Sequence, residues 1–259
     1  MDCKQTLAVL DRERRELEVG GYLRLATPQL VRHVPIDLAA GMGGFVSFSQ
    51  HSLSEIETVI DDVIADFAKL RCAFEWKVFE HDQPSDLVSR LRLRGLEIDE
   101  AEELVVLPLV DAAALLGSAI VHRVERVTGA RQLSDYLAVA AEVWSDKEHA
   151  EWLKHQLRQY PDEIALYVAY VEDKPVASAR ASFARASRFA GLWTGATLPA
   201  YRRRGLYRDL VRARAREAAH RGYEYLMVDA LPTSRPTLTR LGFQRLSASR
   251  PCRWRPTER

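Results

Sequence analysis

Between positions 201 and 207 the chain reads Tyr-Arg-Arg-Arg-Gly-Leu-Tyr, and a long helical stretch follows. A helix start leaves several backbone N–H groups without partners and carries a partial positive charge. Ser, Thr, Asp and Asn, the usual caps, are absent from 201–208. Gly205 lets a backbone come close to a bound group, and Arg202, Arg203 and Arg204 precede it. This combination suits a phosphate or pyrophosphate. A solvated basic turn suits the same residues, and Asp209 in the first helical turn weighs against an anion.

The elements around this turn have a definite order. The pattern predicts a strand over 189–198, the helix over 205–221, a strand over 223–230 and a short helix over 232–241, stopped by Gly242. Strand, Pro199, Tyr-Arg-x-x-Gly, long helix, strand, short helix and Leu-Gly-Phe together resemble the GNAT superfamily of N-acetyltransferases. Arg202, Gly205 and position 207 fall on that family's Arg/Gln-x-x-Gly-x-Gly/Ala hallmark, and Arg240-Leu241-Gly242-Phe243 on its closing motif. The resemblance covers 121–259, with 192–246 as its specific part.

The resemblance implies acetyl-CoA as co-substrate, no metal, and direct transfer of an acetyl group to a primary amine of a small molecule or a protein. The strands over 189–198 and 223–230 would splay to admit it. The main chain of Ala196, Thr197 and Leu198 would pair with the pantetheine arm, and the amides of Arg203, Arg204, Gly205, Leu206, Tyr207 and Arg208 would take the pyrophosphate. Gly195 suits the bulge that opens the cleft. Arg208, Arg212 and Arg216 form a stripe that reaches a further phosphate or simply faces solvent.

Transfer also needs the amine deprotonated, the carbonyl oxygen stabilised and the thiolate protonated. Asp229, ending the strand beside the cleft, is the first candidate base, and Glu142 on an earlier helix the second; His149 and His155 lie on the next helix. Position 238, where the family often has Tyr, is Leu, the Asn often seen earlier in that region is missing, and position 207 is Tyr instead of Gly or Ala. Ser234, Tyr201 and Tyr207 remain as candidate acids. Trp144, Trp152 and Trp193 line an acceptor pocket or belong to the core. These departures also admit a different reading, a non-catalytic acyl-CoA-binding or sensing protein.

The first half has part of the same order. A charged helix over 2–19 leads, past a turn-rich stretch over 35–44, to a strand over 44–49. A helix over 54–71 follows, with Ser54 and Glu57 as a capping box. A strand over 74–80, Pro84, a short helix, Gly95 and a strand over 104–109 complete it. The second half opens with helices over 131–144 and 147–160, separated by Ser145 and Asp146, then strands over 164–171 and 175–184. Short extended pieces over 243–247 and 252–255 close the chain. This reads as a diverged duplication whose first copy lacks the Arg-x-x-Gly-x-Gly loop. The expected fold is α/β (α+β), with tandem GNAT-like units over 1–115 and 121–259, each a mixed, mostly antiparallel sheet flanked by helices. Two such units in one chain form a pseudo-dimer, which allows a monomer and leaves the oligomeric state open.

The chain has 259 residues and a formal charge of +1. Residues 1–120 hold 12 Lys and Arg against 21 Asp and Glu, and residues 121–259 hold 25 against 15. The basic half fits an anionic ligand, or the two halves attract each other. Its arginines do not interleave with aromatics as in a nucleic-acid platform, so no nucleic-acid partner is expected. No apolar run nears membrane-spanning length and no signal-type apolar stretch opens the chain. Cys3, Cys72 and Cys252 are odd in number and far apart, which fits reduced thiols and a cytoplasmic location.

Overall fold

Apolar residues at helical spacing between 56 and 67 close one core, and alternating ones between 164 and 198 close another. The computed structural model describes residues 1–144 and 148–256 and divides into two compact units, 1–104 with 245–259, and 105–244. In chain order the elements are α1 (Cys3–Glu16), β1 (Tyr22–Ala26), β2 (Leu30–Pro35), β3 (Gly44–Ser49), α2 (Ile56–Lys69), β4 (Phe74–Phe79), α3 (Leu87–Leu93), β5 (Glu97–Ile98) and β6 (Glu102–Pro108). There follow α4 (Ala113–Gly117), β7 (Arg123–Arg126), α5 (Ala130–Trp144), α6 (Glu148–Gln159), β8 (Ile164–Val171), β9 (Lys174–Ser182), β10 (Phe189–Thr197), α7 (Leu206–His220), β11 (Tyr225–Ala230), α8 (Arg235–Arg240) and β12 (Gln244–Trp254).

In the first unit the strands run in the order β1-β2-β3-β4-β12, with β5 also on β12. The apolar side of α2, Ile56, Ile60, Val63 and Phe67, packs on Val46 and Trp76. Two local expectations are corrected, and one hairpin is new. Ser54 does not cap α2: the Ser52 hydroxyl donates to Glu55 at 2.6 Å, the helix begins at Ile56, and Glu57 pairs with Arg94 at 2.7 Å. The hairpin of β1 and β2 was not foreseen, because β1 lies at the exposed edge and its apolar residues do not alternate with burial. The two pieces expected near the C-terminus are one strand, β12, in which Pro251 lies opposite Lys77 of β4.

In the second unit the order is β6-β11-β10-β9-β8-β7. β10 and β11 are parallel, whereas β7, β8, β9 and β10 pair antiparallel in turn. Leu206, Leu210, Val211, Ala215 and Ala218 of α7 pack on one face of this sheet, against Leu192, Leu226 and Val228. Tyr136 of α5 and Leu153 of α6 pack on the other, against Leu166 and Val168. Ser145, Asp146 and Lys147, expected between and at the start of these two helices, lie outside the described residues. Among the described residues no helix is long and apolar enough to cross a membrane.

The units share one device. β3 pairs with β4 in parallel at Gly44, Phe45 and Val46, and β10 pairs with β11 in parallel at Phe189, Ala190 and Gly191. In the first unit the strands meet again beyond the gap, through a bridge between Gln50 and Gln83 and a bond from the His51 amide to the Gln83 carbonyl. Gly44 is where β3 must tolerate close approach: a Cβ there would lie 2.8 Å from the His33 carbonyl oxygen and inside the Phe67 ring. Gly44→Val is therefore expected to cost about 1–3 kcal/mol, read as a lower urea midpoint with unchanged slope.

Candidate functional site

The site begins where β10 leaves β11. Their parallel pairing stops at Gly191 and Met227, while β10 stays on β9 through Thr197 with a register shift between Trp193 and Ala196. Thr194 adopts φ 45° within that irregularity. The glycine beside it lies within the same irregularity, and it is also closely packed: a Cβ on Gly195 would lie 2.6 Å from Cε2 of Tyr207. Gly195 thus provides the flat floor on which the Tyr207 ring rests. On the β9 side Ala196 and Thr197 are paired to Ser178 and Ala177, and the Leu198 amide donates to the Val176 carbonyl at 2.9 Å. Gly195, Ala196 and Thr197 line a cleft of about 1250 Å³, whereas Leu198 is buried against Val139.

The cleft's second wall is the start of α7. Gly205 is its N-cap with φ 93° and no side-chain cap forms. Arg203, the residue two before it, also has positive φ, at 63°. Arg202, Arg203, Gly205, Leu206, Tyr207 and Arg208 all line the cleft. Arg204 does not; its guanidinium lies 5.1 Å over the Tyr201 ring. The Arg202 Nε donates to the Thr197 carbonyl at 3.1 Å and ties this turn to the end of β10. Thr233, Ser234, Pro236 and Arg240 form a further wall, and Val143 and Trp144 of α5 reach it as well.

Asp209 does not oppose an anion, because its charge is used inside. It is fully buried and accepts from the amides of Val121 and His122 at 3.0 Å each, from His122 Nδ1 at 2.8 Å and from Arg212 at 2.9 Å. Burial pushes its carboxyl up, but the bonds from His122, Val121 and Arg212 outweigh that and hold it below the usual carboxylate range. The arginine stripe divides accordingly. Arg212 also holds the Ala119 carbonyl, and Arg216 holds those of Leu116 and Ser118. Arg208 is the exposed member on the cleft.

The other candidates are scattered. Ser234 lines the cleft and donates to the Leu231 carbonyl at 3.1 Å. Asp229 is half-buried on the face of β11 opposite Val228 and Ala230, and lies outside the cleft lining. Glu142 is exposed on α5 and also lies outside it. His155 is half-buried on α6, and the side chain of His149 lies outside the described residues. Trp144 reaches the cleft; Trp152 stacks with Arg180 at 4.8 Å, and Trp193 donates to Ser182 at 2.6 Å. Leu238 is fully buried, so the place of the family's tyrosine is core. Sequence reasoning missed Arg214, which is buried among the apolar residues of α7. The signal was an arginine in register with Leu210 and Ala218.

The model of the Acetyltransferase (GNAT) family matches residues 116–243, and this part of the chain is a domain of that family. Solved structures extend the likeness over nearly the whole chain. A GCN5-related N-acetyltransferase from Kribbella flavida is 15% identical, covers 99% of this chain and 95% of its own, and superposes with a TM-score of 0.66. A conserved protein of unknown function from Staphylococcus epidermidis is 13% identical, with 93% and 96% coverage and a TM-score of 0.70. A tandem GNAT protein of the clavulanic acid biosynthesis pathway is 11% identical, with 96% and 89% coverage and a TM-score of 0.59. At these identities the likeness shows the fold: two GNAT-like units in tandem. No curated protein sequence matches.

Asp209→Asn should lower stability at neutral pH by about 1–3 kcal/mol, since a buried acceptor of several donors loses its charge. The folded carboxyl is depressed, so its contribution is whole above the unfolded value near ~4 and fades as pH falls through the folded one. Thermal melts of both proteins should therefore differ most at neutral pH and converge in strong acid.

Proposed function

We propose that this protein is an acetyl-CoA-dependent N-acetyltransferase that moves the acetyl group directly to a primary amine. The observation that carries the reading is the start of α7: an uncapped helix opening in left-handed Gly205, flanked by Arg203 and Arg208, on a cleft bounded by an edge of β10 that β11 has left. The residues fit such a ligand. The helix amides and arginines suit its pyrophosphate, and the freed edge at Gly195, Ala196 and Thr197 suits its extended arm. When bound, it supplies an activated acetyl thioester.

The chain's own groups divide the remaining work. The β10 edge positions the carbonyl for attack and its amides face the oxygen where charge develops. Asp229 approaches from the sheet face opposite α7 and takes the proton of the incoming amine. Glu142 is the second candidate for that role, at the end of α5 that carries Trp144 to the cleft. Ser234, on the wall formed by the turn after β11, is a candidate for the leaving side. The basic lining, with Asp111 as its one carboxylate among the described residues, favours an acceptor whose amine is not part of a dense polycation. The buried Leu238 supports a second reading, a binding or sensing protein without turnover. Binding of CoA with no transfer to any amine would favour it.

Calorimetry with coenzyme A should show binding in the wild-type protein. Gly205→Val places a β-branched side chain at φ 93°, with its Cβ 3.1 Å from Arg208 Nη2 and 3.6 Å from His122 Cε1. It should weaken that binding by about 100-fold, or ~3 kcal/mol, while the fold is retained by circular dichroism. Asp229→Asn should lower kcat on an accepted amine by about 10²–10⁴-fold, most strongly at neutral pH, where the amine arrives protonated. An unchanged rate in a panel of amines would remove Asp229 from the mechanism.

A further inference from the structure

Arg214 is 1% exposed, and among the described residues no carboxylate forms an ion pair with it. Its Nε donates to the Leu210 carbonyl one turn back at 3.0 Å, and Nη1 to the Arg180 carbonyl at 3.1 Å and the Trp193 carbonyl at 3.5 Å. Nη2 is buried and completes no hydrogen bond among the described residues. A cation withdrawn from water without a counter-ion is costly, and a buried donor without an acceptor adds to that cost. A position under the start of the β10 irregularity, two α-helical turns from the cleft wall, calls for a use.

The groups around the guanidinium are phenols: Tyr207, Tyr167 and Tyr136. Two are committed elsewhere. Tyr167 donates to Glu217, and the Tyr136 hydroxyl lies 3.2 Å from that of Thr194. Tyr207 is the one that lines the cleft. Its ring lies on Gly195, it shares the cleft lining with Ser234, and the Arg214 charge acts on its phenol from seven positions on along α7. It therefore reaches from β10 across to the turn before α8. Burial pushes its phenol above the ordinary range, and Arg214 and Ser234 pull it back. The phenol stays protonated at neutral pH, and a cation waits beside the charge it would acquire on giving up that proton.

We propose that Tyr207 donates the proton to the departing thiolate, and that Arg214 is the positioning residue that aims and sustains it. This rests on the acetyltransferase reading above. As the amine nitrogen bonds to the acetyl carbon, the carbon–sulfur bond breaks and its electron pair goes to sulfur. Tyr207 passes its phenolic proton to that sulfur, giving the thiol. The charge of Arg214 favours the resulting phenolate, which recovers a proton equal to the one the amine has released through Asp229 and solvent. The first turn of α7 thereby supplies what Leu238 cannot.

The test uses the full chain with ring-¹³C-labelled tyrosine, in wild type and in Tyr207→Phe, Arg214→Met and Arg214→Lys. The resonance missing in Tyr207→Phe identifies Tyr207. It should shift in Arg214→Met and return toward its wild-type position in Arg214→Lys. By calorimetry Tyr207→Phe should bind coenzyme A within about threefold of wild type, while kcat with acetyl-CoA and an accepted amine falls by about 10²-fold at unchanged KM. A Tyr207 resonance indifferent to both Arg214 variants, or a Tyr207→Phe rate within about threefold of wild type, overturns the proposal and leaves the acetyltransferase reading standing. A wild-type protein that binds no coenzyme A and acetylates no amine overturns both. If Arg214→Met does not fold, the Arg214→Lys spectrum and the Tyr207→Phe rate decide.

Discussion

Two parallel strands that pair for three residues and then part impose the central constraint on the second unit. A sheet satisfies its backbone groups by pairing, and a gap in the pairing leaves an edge that something else must meet. β9 holds β10 rigidly from one side, so that edge is presented in fixed geometry. α7 then starts beside the gap with its own unpaired amides. The cleft is in this sense a place where secondary structure is left unfinished twice, once by a strand and once by a helix. Arginines and a glycine surround both loose ends.

The same constraint explains how charges are distributed around α7. Asp209 would blunt the positive helix start if it faced outward. It is turned inward and satisfied by the 121–122 segment and Arg212, so the helix end keeps its polarity toward the cleft. Arg214 has the opposite situation, a cation inside with carbonyls and phenols for company. One buried charge is neutralised and the other is not. The first fixes a segment of chain; the second holds the carbonyls of Arg180 on β9 and Trp193 on β10.

Much of this was legible in the sequence. The Arg-x-x-Gly turn, the long helix and the Leu-Gly-Phe closure fix the class of the second unit, because these are local features with strong backbone demands at Gly205 and Gly242. The repetition of strand, Pro, short helix and Gly was also readable, and it appears as matching parallel pairs in β3/β4 and β10/β11. What escaped depends on contacts distant along the chain. The backbone partners of Asp209 lie 87 and 88 positions away. Glu55 displaced Ser54 at the start of α2 by one small shift in where the helix begins. The edge hairpin of β1 and β2 carries little burial signal to read. Arg214 looked like one more basic residue in an arginine-rich helix, and only packing shows that it points the other way.

Tyr207 resting on Gly195 also says something about how such a chain can change over generations. A larger residue at 195 is incompatible with the phenol, and a small residue at 207 leaves a hole that the glycine does not fill. The two positions are epistatic. A side chain at 195 and the ring at 207 exclude each other, so a chain that carries one must lack the other.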